Sequence, residues 1–233
     1  MSSSIQKASD FQLSTVTFSK RRANKHGGGT VYINSNSEKI YLQFPYMRAP
    51  FGLSAFTDDR GNTSHSLDLS FDNNDPVCIE IQQKIESLDN LVLQTVVDNS
   101  QEWLGKQYKV ETIRDADLYR SIIRKPKNPE YPSTMKFKIM KDSKGEFIPE
   151  IYNHKKEIVQ MDVIEKKQYI MTIVELGSIW FVGNKFGVTL KLSQALLKPS
   201  TKLPSFAFVG VETGSHNMDE EEEEEDEEHQ IDI

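Results

Sequence analysis

The sequence has a single cysteine, Cys78, among its 233 residues. A lone cysteine cannot form an intramolecular disulfide, and no set of cysteines and histidines has the spacing of zinc ligands. No apolar run approaches the roughly 18 residues that a membrane span needs, and the first residues lack the charged-then-apolar pattern of a signal peptide. We therefore expect an intracellular protein of a reducing compartment, without membrane association.

The motifs of common catalytic sites are also missing. The five histidines are scattered, and none has the HxH, HxxxH or HExxH spacing of metal ligands. There is no Walker A loop, GxSxG elbow or Rossmann glycine set. Gly27-Gly28-Gly29 precedes a predicted strand rather than a helix, so it lacks the helix N-terminus that binds phosphate. We expect no catalysis, cofactor or metal.

The formal net charge of −7 conceals two regions of opposite sign. From Asp219 to the end there are eleven acidic residues and no lysine or arginine, which leaves 24 acidic and 28 basic residues in residues 1–218. Such asymmetry is typical of an interaction tail attached to a body that binds polyanions.

Period-two alternation of apolar and polar residues predicts a chain rich in strands. The predicted strands are Phe11–Phe18 with a bulge near Ser14, Val31–Ile33, Lys39–Tyr46, Phe51–Phe56, Ser66–Phe71, Thr134–Met140, Glu146–Ile151, Ile158–Ile164, Tyr169–Phe181, Phe186–Leu197 and Phe206–Val209. Polar turns separate them, among them Asn34–Ser37 and Gly183-Asn184.

One long helix is predicted after Asp75, which can cap it, with Pro76 in the first turn. Its apolar stripe is spaced by three and four residues and comprises Val77, Ile81, Ile85, Leu88, Val92 and Val96. Short helical pieces are expected in residues 101–123, one of them opening at Asp115–Tyr119.

Many strands, one main helix and no strand–helix alternation predict a mainly β fold. A partly open antiparallel barrel of the oligonucleotide-binding (OB) type, with one long inserted helix, fits this pattern, although strand counting alone leaves a β-sandwich open. The predicted organisation is a flexible N-terminus in residues 1–10, an OB-like nucleic-acid-binding domain in residues 11–213 and a disordered acidic tail in residues 214–233.

Basic residues interleaved with aromatic rings are what a protein needs to hold a single nucleic-acid strand. They occur in a glycine-flanked basic loop, along one hairpin, in a base-rich segment and on one strand face. The candidate DNA-binding residues are Lys20, Arg21, Arg22, Lys25, Tyr41, Tyr46, Arg48, Lys106, Lys109, Arg124, Lys125, Lys136, Lys138, Lys185 and Lys191.

The alternative for each cluster is ordinary structure. Phe44 and Phe186 fall on apolar faces, which favours core packing over stacking, and Trp103 and Trp180 are also interpreted as core. The basic loop, Lys20–Lys25, could be solvated only. Lysines that alternate with apolar residues, as around Phe137, occur on any half-exposed strand.

The tail is a dense polyanion, including Asp219, Glu220, Glu225, Asp226 and Glu228. Tethered to a cationic groove, it would compete with DNA for that groove at high effective concentration. Ile231 and Ile233 place apolar side chains beside the terminal carboxylate, which suits docking into a partner. Charge alone also allows a solubility tail.

The order of these features resembles the single-stranded DNA-binding proteins of large eukaryotic DNA viruses, which are similar to the replicative strand-binding protein of short-tailed coliphages. The resemblance is carried by Phe44–Leu53 (FPYMRAPFGL), Glu102–Lys106 (EWLGK), Tyr131–Lys138 (YPSTMKFK), Lys185–Leu192 (KFGVTLKL) and the acidic tail.

The resemblance implies an OB barrel with an inserted helix and sequence-independent binding of single-stranded DNA in viral replication, recombination or repair. It places Arg48, Lys136, Lys138, Lys185 and Lys191 near the strand path. It further implies that the tail contacts DNA polymerase, helicase or primase, that homodimers form, and that the protein acts in the host nucleus or a cytoplasmic virus factory. The phage-type tail ends in an aromatic residue, whereas this one ends in Ile233.

Two other hypotheses remain. A histone-chaperone-like or scaffold protein would use the acidic tail as its main surface for basic partners. A nuclease would need a metal-binding carboxylate cluster, such as Asp58-Asp59 with Asp68, but these residues fall at a turn and on the outer face of a strand.

Overall fold

The computed structural model describes residues 5–24, 27–199 and 209, and the described residues from 5 to 199 form one compact unit. Within the described residues there are three helices, α1 (Pro76–Asp98), α2 (Ser100–Trp103) and α3 (Val110–Asp115). The thirteen strands are β1 (Ile5–Lys7), β2 (Val16–Phe18), β3 (Arg22–Ala23), β4 (Gly29–Ser35), β5 (Glu38–Ala49), β6 (Leu53–Thr57), β7 (Thr63–Ser70), β8 (Tyr119–Arg120), β9 (Thr134–Ile139), β10 (Glu150–Tyr152), β11 (Ile158–Val159), β12 (Gln168–Val182) and β13 (Lys185–Leu197).

Five strands close into a ring in which β5 pairs with β7, β7 with β9, β9 with β13, β13 with β12, and β12 with β5. Numbered along the chain, the ring runs 1-2-3-5-4-1, with a parallel pairing only between β9 and β13. This is a five-stranded OB barrel. The prediction of a mainly β, partly open barrel with one long inserted helix is confirmed, and α1 lies between the second and third strands of the ring.

The barrel is held unevenly around its circumference. The β12–β13 and β5–β12 pairings are long and antiparallel. In contrast, β5 and β7 meet at the single pair Arg48–Ser70, and β9 and β13 at the single pair Lys138–Lys191. The barrel therefore consists of two layers, β6–β7–β9 and β4–β5–β12–β13, joined at two narrow seams.

The interior is filled by the inward side chains of both layers, where the Phe44 and Phe137 rings lie 5.5 Å apart. Helix α1 begins as predicted, because the Asp75 carboxylate accepts a hydrogen bond of 2.9 Å from the Val77 backbone N–H. Its buried stripe joins the same hydrophobic cluster. Val77 is a correction: it is 45% exposed, because Cys78, which is 2% exposed, carries the buried face in the first turn of the helix.

Other corrections concern local hydrogen bonding that alternation does not reveal. The predicted strand Phe11–Phe18 contains a 3₁₀ turn at Leu13–Thr15, because the Thr15 hydroxyl and N–H both donate to the Gln12 carbonyl at 2.9 and 3.3 Å. Only Val16–Phe18 is extended.

Three further segments differ from their predictions. The predicted strand Glu146–Ile151 is extended only from Glu150, where β10 begins. Asp115 ends α3 rather than opening a helix, because Asp117 adopts a left-handed backbone (φ 48°) and Tyr119 then enters β8. The predicted strand Ile158–Ile164 contains only β11, followed by a 3₁₀ turn. The predicted strand Phe206–Val209 lies outside the described residues except for Val209.

The β4–β5 hairpin turns more tightly than predicted. Asn36 and Ser37 have φ of 49° and 65°, the two consecutive left-handed residues of a two-residue hairpin turn. As a result β4 reaches Ser35 and β5 starts at Glu38.

Candidate nucleic-acid interface

One outer surface of the barrel combines basic side chains with an exposed ring. It lies on the β6–β7–β9 layer and is called the β6–β7–β9 face. The in-register pairs that define it are Phe56–Ser64, Ser54–Ser66, Ser66–Lys138, Asp68–Lys136 and Ser70–Thr134. Phe56 is 68% exposed. Apart from Asp68, every one of these side chains is neutral or basic, so the face is cationic.

Asp68 forms long ion pairs with two basic side chains beside this face, Lys136 and Arg124. Its carboxylate oxygens lie 3.7 Å from Lys136 Nζ and 3.9 Å from Arg124 Nη1. Burial raises the pKa of Asp68 above its usual value, although the two cations oppose the shift. The side chains of Arg124 and Lys136 are 51% and 39% exposed, so both remain open to an external anion.

A small cleft beside this face brings an indole ring among three cations. It is called the Trp180 cleft, and Arg120, Arg124, Lys136 and Trp180 line it together with Ser121, Ile122, Val188 and Leu190. The cleft has a volume of about 60 Å³. It lies beside the β9–β13 seam, where these two strands pair only at Lys138–Lys191. The half-buried ring of Trp180 and the three basic side chains therefore share one opening.

Trp180 faces outward because its neighbours on β12, Ile179 and Phe181, are both buried. Gly187 is its in-register partner on β13. A Cβ atom at residue 187 would lie 2.9 Å from the Trp180 ring and 2.9 Å from the Arg120 carbonyl oxygen. The absence of a side chain at Gly187 therefore lets the indole and the Arg120 backbone pack against β13.

Asp89 of α1 anchors the segment that carries Arg120. Its buried carboxylate accepts hydrogen bonds from the Tyr119 hydroxyl, from Ser121 Oγ at 2.5 Å and from the backbone N–H groups of Ile122 and Ile123 at 2.8 and 3.2 Å. Burial, and then the Asp89 charge, raise the pKa of Tyr119. The long helix thus fixes one wall of the cleft.

The next strip around the barrel is also polar, but its Lys39 and Lys191 are already paired with Glu175. Lys138 stands beside Lys191, Lys191 beside Glu175, and Glu175 beside Tyr41. Lys191 and Lys39 each lie 3.1 Å from Glu175, and the Tyr41 hydroxyl donates to it at 3.4 Å. Burial would raise the pKa of Glu175, but the hydrogen bonds and charges of the lysines bring it below the usual value.

Arg48 and Tyr46 occupy the other end of the face. Arg48 pairs with Ser70, which pairs with Thr134, so it continues a row of the β6–β7–β9 face. Both residues also line a pocket of about 350 Å³ that contains Asp72, Asp75 and Glu130. The acidic residues of this pocket disfavour a polyanion inside it. Arg48 can therefore contact a polyanion only at the edge of the β6–β7–β9 face.

The basic loop before β4 lies against aromatic rings. The guanidinium of Arg21 is 5.5 Å from the Phe181 ring centroid, and that of Arg22 is 5.6 Å from the Tyr32 ring centroid. Tyr32 is 44% exposed. Arg22 and Tyr32 form a second pair of a cation with an accessible ring.

The remaining predicted residues are more dispersed. Lys106 lies 4.9 Å from the Tyr108 ring centroid, and Lys20, Lys109, Lys125 and Lys185 have no hydrogen bond, ion pair or ring contact to the β6–β7–β9 face within the described part of the chain. Lys25 and the tail residues lie outside the described residues. The tail residues are Asp219, Glu220, Glu225, Asp226, Glu228, Ile231 and Ile233.

Three residues of the interface escaped the sequence analysis: Phe56, Arg120 and Trp180. The core interpretation of Trp103 is right, since it is 6% exposed, but that of Trp180 is wrong. The signal was available, because Trp180 alternates with the apolar Ile179 and Phe181. Exposure of Phe56 was not visible in its local pattern, since it depends on the pairing of β6 with β7.

The described residues contain no cluster of three or more histidine, cysteine, aspartate or glutamate side chains arranged to hold a metal ion. The nuclease hypothesis thus has no carboxylate cluster at Asp58, Asp59 and Asp68. The same part of the chain has no helix with the length and apolar character of a membrane span.

A protein family matches residues 66–209, which run from β7 past the end of β13. The chain belongs to this family. It is described as a family of unknown function (DUF5871). An uncharacterized protein of Acanthamoeba polyphaga mimivirus is 26% identical over 178 residues, or 72% of this chain. The chain spans 28% of the length of that relative.

Two solved structures of phage proteins are similar to the chain. The single-stranded DNA-binding protein gp2.5 of bacteriophage T7 has a TM-score of 0.42 and 17% identity, covering 68% of this chain and 86% of that one. The single-stranded DNA-binding protein of bacteriophage Enc34, in complex with ssDNA, has a TM-score of 0.45 and 11% identity, covering 80% and 97%.

Proposed function

We propose that this protein binds single-stranded DNA without sequence preference, and does so without catalysis. The observation that carries the proposal is the β6–β7–β9 face with the adjoining Trp180 cleft. Lys136, Lys138, Arg124 and Arg120 provide cations there, and Trp180 and Phe56 provide accessible rings at either side. The second and third strands of an OB barrel are where this fold binds oligonucleotides.

The geometry favours an unpaired strand over a duplex. The indole lies in a cleft lined by apolar Val188 and Leu190, where it can stack only on a base that is free of its partner. Lysine and arginine side chains bind the backbone phosphates, which carry no sequence information. Stacking is tolerant of sequence because every base has a π-face.

The acidic tail is proposed to compete with DNA and to recruit replication proteins. Its eleven acidic residues resemble the charge density of a nucleic acid. DNA binding would release the tail for DNA polymerase, helicase or primase. A mimivirus protein among the relatives supports a viral setting for this proposal. Homodimer formation stays a prediction, for which sedimentation velocity is the measurement.

Binding is tested by fluorescence anisotropy of a labelled oligonucleotide, single-stranded or annealed, across a range of salt concentrations. The double variant Lys136→Ala/Lys138→Ala is compared with Lys155→Ala/Lys166→Ala, which removes the same charge from exposed turns between β10 and β12. We expect tight binding of the single strand and weak binding of the duplex. Because each phosphate contact contributes about 0.7 to the salt slope, the first variant lowers the slope by about 1.4 and weakens binding roughly tenfold or more.

Equal effects of the two variants would show that the β6–β7–β9 face is not the DNA site. For the tail, truncation after Met218 is expected to tighten binding, and weaker binding would contradict competition. If the truncated chain does not bind oligonucleotide at low salt while the full chain binds basic proteins, the histone-chaperone-like alternative replaces the proposal.

A further inference from the structure

The β10–β11 hairpin and the segment before it form an apolar groove whose lining includes no residue of the β6–β7–β9 face or the Trp180 cleft. This β10–β11 groove has a volume of about 450 Å³ and is lined chiefly by Phe147, Ile148, Ile151, Ile158, Val159 and Met161. Ile148 and Ile158 are 59% and 68% exposed. Two large aliphatic side chains are therefore open to water in one groove, next to the buried Ile151 and Met161.

The rim of the groove is acidic. Glu146, Glu150 and Asp162 line it, and no lysine or arginine does. None of the three forms a salt bridge within the described residues, although Glu150 accepts hydrogen bonds from Tyr152 and Gln194 at 2.6 and 2.9 Å. In the part of the chain that the structure describes, one cation lies over a ring of the groove: Lys141 Nζ is 4.4 Å from the Phe147 centroid.

The groove also lies at an end of the sheet. β11 is the terminal strand in the strand order and pairs only with β10 within the described part of the chain. Its other edge therefore offers backbone N–H and C=O groups, to which an extended segment can add as a further strand.

We propose that the β10–β11 groove binds an extended segment of a partner protein in which basic and aliphatic residues alternate. The aliphatic side chains enter the groove against Ile148 and Ile158, while lysine or arginine side chains meet Glu146, Glu150 and Asp162. A nucleic acid or an acidic segment would face uncompensated repulsion from these carboxylates. This groove shares no residue with the β6–β7–β9 face. The proposal of peptide binding can therefore be tested separately from the proposal of DNA binding.

The test uses a synthetic peptide of alternating lysine and isoleucine that carries a benzophenone photo-cross-linker, added to the full-length protein. A peptide with serine in place of isoleucine measures attraction to the acidic tail alone. Mass spectrometry locates the cross-links. The variant Ile148→Ser/Ile158→Ser is paired with the control Val77→Ser/Val182→Ser, whose two aliphatic side chains are exposed elsewhere, at 45% and 65%.

We expect cross-links of the lysine–isoleucine peptide within residues 146–162. Ile148→Ser/Ile158→Ser should lower their yield about tenfold, the effect of losing partial burial of two aliphatic side chains, while the control variant retains it. Glu146→Gln/Glu150→Gln should also lower it. Lys136→Ala/Lys138→Ala should leave it unchanged, whatever its effect on DNA binding. Cross-links confined to residues 219–233, or equal yields in all variants, would overturn the proposal.

Discussion

Replacing Asp89 by alanine is expected to cost more stability than replacing any exposed polar residue of α1. The Asp89 carboxylate is the acceptor for four donors of the segment that follows α3. Ser121 is exposed and can turn to water, whereas Ile122 and Ile123 are only 6% and 5% exposed. Their N–H groups would be left buried without an acceptor.

The magnitude follows from those two backbone groups. A buried donor that loses its partner costs about 1–3 kcal/mol, so two of them cost roughly 2–6 kcal/mol. Removing the buried carboxylate relieves part of this, because its own desolvation penalty disappears. We expect a loss of about 3 kcal/mol in the free energy of unfolding. With a urea dependence of about 1–3 kcal/mol per molar, the midpoint falls by at least about 1 M.

Urea denaturation followed by circular dichroism measures this loss. Asp98→Ala is the matched control, because Asp98 is on the same helix but exposed, and accepts one hydrogen bond of 2.7 Å from Gln94. The control should change stability by less than about 0.5 kcal/mol. If Asp89→Ala and Asp98→Ala have similar midpoints, Asp89 does not anchor the wall of the Trp180 cleft.

Four other substitutions, at three residues, test the charges and the ring of the candidate interface. Trp180→Phe should abolish the change in tryptophan fluorescence that ssDNA causes, because the other tryptophan, Trp103, is buried. Trp180→Ala should weaken ssDNA binding by about 1–3 kcal/mol, which is the contribution of one stacked base. Asp68→Asn should tighten ssDNA binding, measured by anisotropy at neutral pH. Because the pKa of Asp68 is raised in the fold, the native protein loses folding stability as the pH rises through that pKa. At a pH above that pKa, the asparagine variant should therefore be more stable than the native protein. Glu175→Gln should lower thermal stability at neutral pH but not below the lowered pKa of Glu175, because its pairing with Lys191 is lost there in the native protein too.

Each of these predictions has a clear contrary result. A fluorescence change that persists in Trp180→Phe would place the DNA away from the cleft. Unchanged affinity in Asp68→Asn would show that this carboxylate does not weaken the neighbouring cations. A Glu175→Gln variant whose loss of thermal stability is constant with pH would show that the ion pairs around this residue do not account for the loss.

Local patterns predicted the elements whose signals are local. The Asp75 cap and Pro76 place the start of α1 to the residue, and Gly183, with φ of 57°, gives the β12–β13 hairpin its turn. The alternation around Lys136 and Lys138 likewise placed both on an outward face, as the structure has them. These features depend on neighbours within a few positions.

Barrel closure depends on pairing between residues far apart in the sequence. The alternation of apolar and polar residues predicts strands but not which strands pair. The pair Lys138–Lys191 closes one seam, and β7 finds β9 across the whole helical region. For the same reason the sequence did not show that Glu175 would pair with Lys191, or that Arg120 would lie beside Trp180. Counting lysines and arginines in the sequence identifies candidate DNA-binding residues. Only the register of the strands shows which of them are already paired with a carboxylate, as Lys191 is with Glu175.

The two narrow seams have a mechanical consequence. Backbone hydrogen bonding around a closed ring normally makes its curvature rigid, yet here the layer of β6, β7 and β9 pairs directly with the other layer at only Arg48–Ser70 and Lys138–Lys191, while the Arg124–Thr134 bridge links β9 to the segment that follows β8. Bending at these two lines breaks few bonds, so this layer can flatten or tighten as a unit. If the proposed function holds, this adjustment would accommodate bases of different size without unfolding any part of the barrel.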